Sequence, residues 1–342
     1  MDATRSRLDL TRSQILAFRR HVGALDERLP AGRRSLRNAA WAGLQDSMPR
    51  AALLSIHARV DGTAPSTWRD SSLVQLWGPR YHTYVVAARD LAIFSLGRLP
   101  DNLAARRIAE DLAARLHTFL AGRTVTYGEA GRGLGEHPNR LRYAAATGTV
   151  VIQWDGARQP TIWTLPPPDV DPRDARLELA RRYLHIFGPA KPEAFAWWAG
   201  IALQGGDAAF EALGKSLTPV RTPLGDAWIL TRDEPTFRAT ERPVAPARLL
   251  PSGDAYFLLQ GDDRKLLVAD ADRRRTLWTP RVWPGALLVE GQIIGTWRRA
   301  HDTVTIQTWR RLTRTARDAI QGEAESLPLP GVKKGIVVRW GD

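Results

Sequence analysis

Gln45, Asp46 and Ser47 are three adjacent polar residues between an apolar segment, 39–42, and a stretch 49–60 with helix-spaced apolar residues. Pro49 is pre-set for a first helical turn, so the polar elbow ahead of it should hold its side chains at fixed angles. The chemistry available is acid–base and electrostatic. Asp46, when ionised, suits a general base. The Ser47 hydroxyl takes a proton only beside a base. A simpler reading is equally open. Asp46 or Ser47 caps the helix beginning at Pro49, and Gln45 bonds the backbone.

Other constellations carry less. The seven histidines show no metal-ligand spacing. No Gly-x-Ser-x-Gly elbow is present, although spacing leaves a Ser–His–Asp triad open. Gly214-Lys215-Ser216 resembles the end of a phosphate-binding loop, but Ala209 stands where that loop needs glycine, so the tripeptide reads as a helix C-terminus. The glycine-rich run 128–135 lacks dinucleotide spacing and reads as a turn, with Arg132 a candidate phosphate contact. Without cysteine there are no disulfides and no cysteine-ligated zinc or iron–sulfur cluster. No metal and no organic cofactor is expected.

Charge points to a partner. The 342 residues carry a formal net charge of +13, which attracts polyanions, nucleic acid first. Of 49 Lys and Arg residues only Lys191, Lys215, Lys265, Lys333 and Lys334 are lysines. Arginine suits bidentate contacts with phosphates and base edges, although a GC-rich genome produces the same bias. Arg273–Arg275, and Arg298, Arg299, Arg310, Arg311, Arg314 and Arg317, alternate with Trp297 and Trp309. They read either as a backbone-gripping surface or as a solvated rim. Arg140, Arg142 and Tyr143 fall in a predicted helix 139–146 ahead of a hairpin, where a groove-entering element is expected. Of the adjacent tryptophans Trp197 and Trp198, one must turn away from the core side of their helix.

The elements that would position these residues recur in order. Helices are predicted over 11–29 (Ser13 as N-cap), 35–41 (Ser35 as N-cap) and from 49, then a hairpin, 73–77 with 82–86, then a helix over 88–96. The plan returns with helices at 102–120, from 126 and at 139–146, and a hairpin, 149–154 with 161–165. After Pro166–Pro168 come helices over 174–187, 192–201 and 207–213 and a hairpin over 220–230. Beyond Pro243 and Pro246 strands are predicted at 256–259, 265–268, 286–289, 293–297 and 304–309, a helix at 313–325 and a strand at 335–340. Hairpin turns are expected at 262–263 and 290–291. The fold class expected is α+β, tandem winged helix-turn-helix modules over 1–98, 99–168 and 169–242, followed by a small β-barrel or half-barrel over 243–342. No apolar run is long enough to span a membrane, and the N-terminal residues lack an apolar leader, so a cytoplasmic protein is expected.

Four patterns together resemble the AlkZ/YcaQ-like winged-helix DNA glycosylases, a bacterial family. They are Gly43–Leu54, Leu76–Leu91 with its Gly78-Pro79-Arg80-Tyr81-His82 turn, Arg182–Ala190 with Gly188-Pro189-Ala190, and Leu249–Leu259 ahead of Val289–Arg298. The resemblance implies stacked winged helices and a barrel clasping double-stranded DNA, with excision of alkylated or crosslinked bases without full extrusion of the base. It brings the wing residue His82 to the DNA; with the arginine readings above, the DNA contacts expected are Arg50, Arg80, His82, Arg140, Arg142, Arg298, Arg299 and Arg310, in a nucleoid-associated protein acting as a monomer. It implies a Gln–hydrophobic–Gln or Gln–hydrophobic–Asp motif that holds water at the anomeric carbon. Gln45 matches its first position. Asp46 is not hydrophobic, and Ser47 is neither Gln nor Asp. Two alternatives therefore accompany the enzyme: a non-enzymatic DNA-binding regulator or lesion sensor, and a winged-helix protein whose partner is another protein.

Overall fold

A computed structural model describes residues 7–239, 243–332 and 335–341. Residues 1–6, on which the expectation about a leader falls, residues 240–242 ahead of the fourth segment, Lys333, Lys334 and Asp342 lie outside them.

The first segment runs β1 (Leu8–Asp9), α1 (Arg12–Val22), α2 (Arg33–Ala39), β2 (Leu44–Gln45), α3 (Ala51–His57), the hairpin β3 (Leu73–Trp77) with β4 (Thr83–Ala87), and α4 (Leu91–Leu96). Thr11, not Ser13, caps α1. Its hydroxyl accepts from the Gln14 N–H while Gln14 Oε1 accepts from the Thr11 N–H, a reciprocal pair that Ser13 has no partner to make. Gly32, not Ser35, precedes α2; its φ of +141° suits glycine at that chain reversal. The second segment holds α5 (Leu103–Leu120), β5 (Val125–Thr126), α6 (Tyr127–Leu134), and β6 (Val150–Gln153) with β7 (Thr161–Thr164). Between α6 and β6 the predicted helix is a 3-10 stretch, Pro138–Thr147. The third holds α7 (Pro172–Phe187), α8 (Pro192–Ala199), α9 (Leu203–Leu213), the hairpin β8 (Leu217–Thr222) with β9 (Gly225–Leu230), and α10 (Glu234–Arg238).

The fourth segment departs furthest from expectation. It runs β10 (Ala247–Leu250), α11 (Arg264–Leu267), α12 (Ala271–Leu277), β11 (Gly285–Val289), β12 (Gln292–Ala300), β13 (Thr303–Thr308), α13 (Arg314–Glu325) and β14 (Val337–Trp340). Residues 256–259 form no strand. Their apolar side chains are buried, but their backbone is spent on turns: Asp254 accepts from the Tyr256 N–H, and the Trp278 indole donates to the Phe257 carbonyl. Residues 265–268 are largely helical, with Arg264 donating to the Leu259 carbonyl, and 262–263 is a helical turn rather than a hairpin. The turn at 290–291 joins β11 to β12 as expected.

Three sheets result. β1 pairs parallel with β8 and β8 antiparallel with β9, so α1 lies against the third segment, where Phe18 stacks on Phe237 at 3.6 Å. β10 to β14 form a five-stranded sheet in chain order, antiparallel up to β13 and parallel between β13 and β14. The two hairpins of the first and second segments join in one six-stranded sheet, ordered β2-β4-β3-β6-β7-β5, through Gln75 opposite Ile152. A central core draws Leu16, Phe94, Tyr183, Trp198, Leu250 and Phe257 together, so side chains from the first, third and fourth segments bury one another. Trp198 is in that core at 2% exposure while Trp197 is 37% exposed.

Candidate active site

The polar elbow leaves the sheet at β2. Leu44 and Gln45 pair with Val85 and Tyr84, and the Asp46 N–H donates to the Thr83 carbonyl at 2.7 Å. Alternation along the extended chain then turns Asp46 away from its two neighbours. Gln45 packs against Gly253, a glycine at φ +78° whose missing Cβ would lie 3.2 Å from the amide. Asp46 turns inward and is 1% exposed. One carboxylate oxygen accepts from the Ala52 N–H at 2.9 Å, in the first turn of α3, and the other from Gln75 Nε2 at 2.8 Å. The helix opens two residues later than expected, at Ala51, because Arg50 adopts a left-handed φ of +66°. Asp46 therefore satisfies an orphan donor of α3 from four residues before its N-cap.

Arg50 is also interior, at 5% exposure. It pairs with Asp46 at 3.2 Å, donates to the Trp154 carbonyl and lies 3.6 Å from the Trp68 ring centroid. Burial raises the Asp46 carboxyl to about 6 against the pull of Arg50, the Ala52 N–H and Gln75. Burial likewise lowers Arg50. Gln75 closes the network by accepting from the Trp154 N–H at 2.6 Å, which ties the elbow to the second hairpin.

Ser47 turns outward. Its Oγ lies 3.0 Å from His82 Nδ1. Both line a cleft of about 320 Å³ together with Tyr81, Tyr127, Arg142 and Trp154. Burial, then Arg80 and Arg142, lower the His82 pKa below its ordinary value, so the ring is neutral at pH 7. Arg142 Nε has no hydrogen-bond partner among the described residues. On the far side of the elbow, Met48 (39% exposed) and Pro49 line a second cleft of about 320 Å³ with Trp283, Trp297, Arg298 and Arg299. Each of the two clefts that the elbow borders carries arginine, Arg142 in one and Arg298 and Arg299 in the other. Another hollow, about 430 Å³, lies against Trp41, Ala42 and His185 and holds none of the three side chains.

The remaining expected contacts are dispersed. Arg80 is exposed, with its guanidinium 3.9 Å from the centroid of the Trp197 ring. Arg140 pairs with Glu136 at 3.2 Å, and Arg310 with Glu290 at 3.4 Å. Arg298 donates to the Val282 carbonyl. Arg273 and Arg317 rest over Trp309 and Trp340. Sequence reasoning missed Gln75 and Tyr127. Gln75 had a signal, as a lone amide in an otherwise apolar strand.

Behind the elbow, Asp254 is buried and accepts from Ser55 Oγ at 2.7 Å and from Arg59. Among the described residues no group of three or more His, Cys, Asp and Glu is placed to hold a metal ion. No helix of the described residues is long and apolar enough to cross a membrane.

A family model described as DNA glycosylase AlkZ-like matches residues 39–328. Among solved structures, the Streptomyces sahachiroi DNA glycosylase AlkZ superimposes with a TM-score of 0.78 at 19% identity, covering 98% of this chain and 100% of that one. No curated protein matches the chain in sequence.

Proposed function

The chain belongs to the AlkZ-like DNA glycosylase family, and from that membership we propose that it binds double-stranded DNA and hydrolyses the N-glycosidic bond of an alkylated or crosslinked base. In this reading the three helix-and-hairpin segments are winged helices. The sheet β10–β14 with α13 is the half-barrel that closes the channel. DNA lies across the elbow, with Arg142 on one flank and Arg298 and Arg299 on the other.

The observation that carries the reading is the elbow's position at two arginine-bearing clefts, with Ser47 lining one and Met48 and Pro49 the other. Hydrolysis at C1′ passes through an oxocarbenium-like state, which needs acceptor oxygens nearby and a positioned water. Gln45 supplies an amide carbonyl on a side chain packed against Gly253. Ser47 supplies a hydroxyl two residues further on. Asp46 plays no direct part, since its oxygens are committed to Ala52, Gln75 and Arg50.

The test is incubation of the protein with duplexes carrying N7- or N3-alkylpurines, scoring abasic sites, alongside Gln45→Ala. Abasic sites from the wild type and about 10²-fold fewer from the variant support excision. The second reading, a non-enzymatic lesion sensor, is favoured by Ser47 where the family motif has Gln or Asp. Tight binding to the same duplexes with no abasic sites establishes it.

A further inference from the structure

We propose that Ser47 and His82 act as one unit in place of the motif's absent third residue, with His82 taking the water's proton through Ser47 Oγ. The inference rests on the excision reading above.

Ser47 alone is a poor acceptor, because a neutral hydroxyl does not take a proton without a base beside it. The sheet supplies the base. The Asp46 N–H bond to the Thr83 carbonyl fixes the elbow against the start of β4, and this sets Ser47 Oγ 3.0 Å from His82 Nδ1. That distance is within reach for proton transfer. With the ring neutral and its proton on Nε2, Nδ1 accepts the Ser47 O–H. The Oγ lone pairs are then free for the O–H of a water in the cleft.

The step balances without a further reactant. The water oxygen bonds C1′ as the C1′–N bond breaks, and the bonding pair leaves with the base. An N7-alkylated purine is already cationic and departs neutral. The water's proton passes to Ser47 Oγ, the Ser47 proton passes to Nδ1, and the imidazolium returns it to solvent.

The groups facing His82 favour the neutral ring. Arg80 stands on its own turn, and Arg142 reaches it from the second segment. Tyr81 and Tyr127 line the same cleft without charge at neutral pH. The carboxylate in the neighbouring turn, Asp46, points inward onto Arg50.

Single-turnover excision of N7-methylguanine from a duplex, followed across pH, tests the unit in the whole protein. The expected wild-type rate falls as pH drops through a midpoint below the ordinary histidine value. Ser47→Ala and His82→Asn should each lose about 10²-fold in single-turnover rate at saturating protein, with the double variant no worse. In a Ser47→Gln background, which restores only the motif's third residue, His82→Asn should lose far less than it does beside Ser47. Variants that keep the wild-type rate and pH profile, or losses that multiply in the double variant, overturn the unit alone. A wild type that makes no abasic sites overturns the excision reading along with it. An unchanged melting temperature separates chemistry from misfolding; if His82→Asn fails that control, His82→Gln replaces it.

Discussion

Asp254 grips Arg59 in a bidentate pair, Oδ2 to Nη1 at 2.7 Å and Oδ1 to Nη2 at 2.8 Å, with both side chains buried. The Ser55 hydroxyl and the Tyr256 N–H occupy the remaining lone pairs. The loop that carries Gly253 is thereby fixed to α3, the helix that follows the elbow. Asp254→Ala should cost about 3–5 kcal/mol in urea unfolding, because it strands a buried guanidinium. Arg59→Met with Asp254→Leu should cost less than Asp254→Ala alone.

Gly253→Ala tests the seat of Gln45. The position has φ +78°, and the new methyl would sit 3.2 Å from the Gln45 amide. A left-handed alanine costs about 1–2 kcal/mol. The expected result is a modest fall in melting temperature with a larger fall in single-turnover excision, as Gln45 is pushed out of position.

The Asp46 carboxyl titrates near 6 in the fold and near 3.8 when free. Between those values the folded state binds more protons than the unfolded chain, so this group's contribution to stability falls as pH rises from 3.8 to about 6. Urea unfolding of wild type and Asp46→Asn across that range should show a difference that changes inside the window and is flat above it.

His57 gives the opposite slope. Burial, with Arg28 and Arg248 nearby, depresses its pKa from 6.5 to about 4. Its ring nitrogens lie 2.7 Å from Thr63 Oγ1 and 3.0 Å from Ser326 Oγ, linking α3 to the end of α13. Here the unfolded chain binds the extra proton, so stability is lost as pH falls from 6.5 towards 4. His57→Gln should remove that component in acid-unfolding curves.

Duplex binding should weaken steeply with salt. Each phosphate contact contributes a slope of about 0.9 in log K against log salt. Arg298→Gln and Arg299→Gln should each lower the slope by about that amount in fluorescence anisotropy, and Arg50→Gln should leave it unchanged, because Arg50 is interior.

The sequence carried the hairpins well. The short apolar runs 73–77 and 82–86 on either side of Gly78-Pro79, and the Asp155-Gly156 turn, are local signals, and local signals survive folding. The run 256–259 has the same apolar character, yet its backbone is taken up by a local turn on Asp254 and by the Trp278 indole, 21 residues on, and apolar periodicity reveals neither. The elbow was legible as an elbow. Which way each side chain turns was not, because that depends on β2 pairing with β4 and on Arg50 turning left-handed. Ser47 and His82 stand 35 residues apart in sequence, and only the strand register brings them into contact.

The strand β3 is covered on both sides, by β4 and by β6 of the following segment. A truncated chain ending near residue 98 would keep its own hydrophobic cluster but bare the Leu-Val-Gln-Leu-Trp backbone along one margin. Unpaired amides beside apolar side chains recruit other copies, so such a fragment would self-associate through that margin instead of remaining dispersed. The shared seam makes the second segment a guard against clumping as well as a wall of the groove.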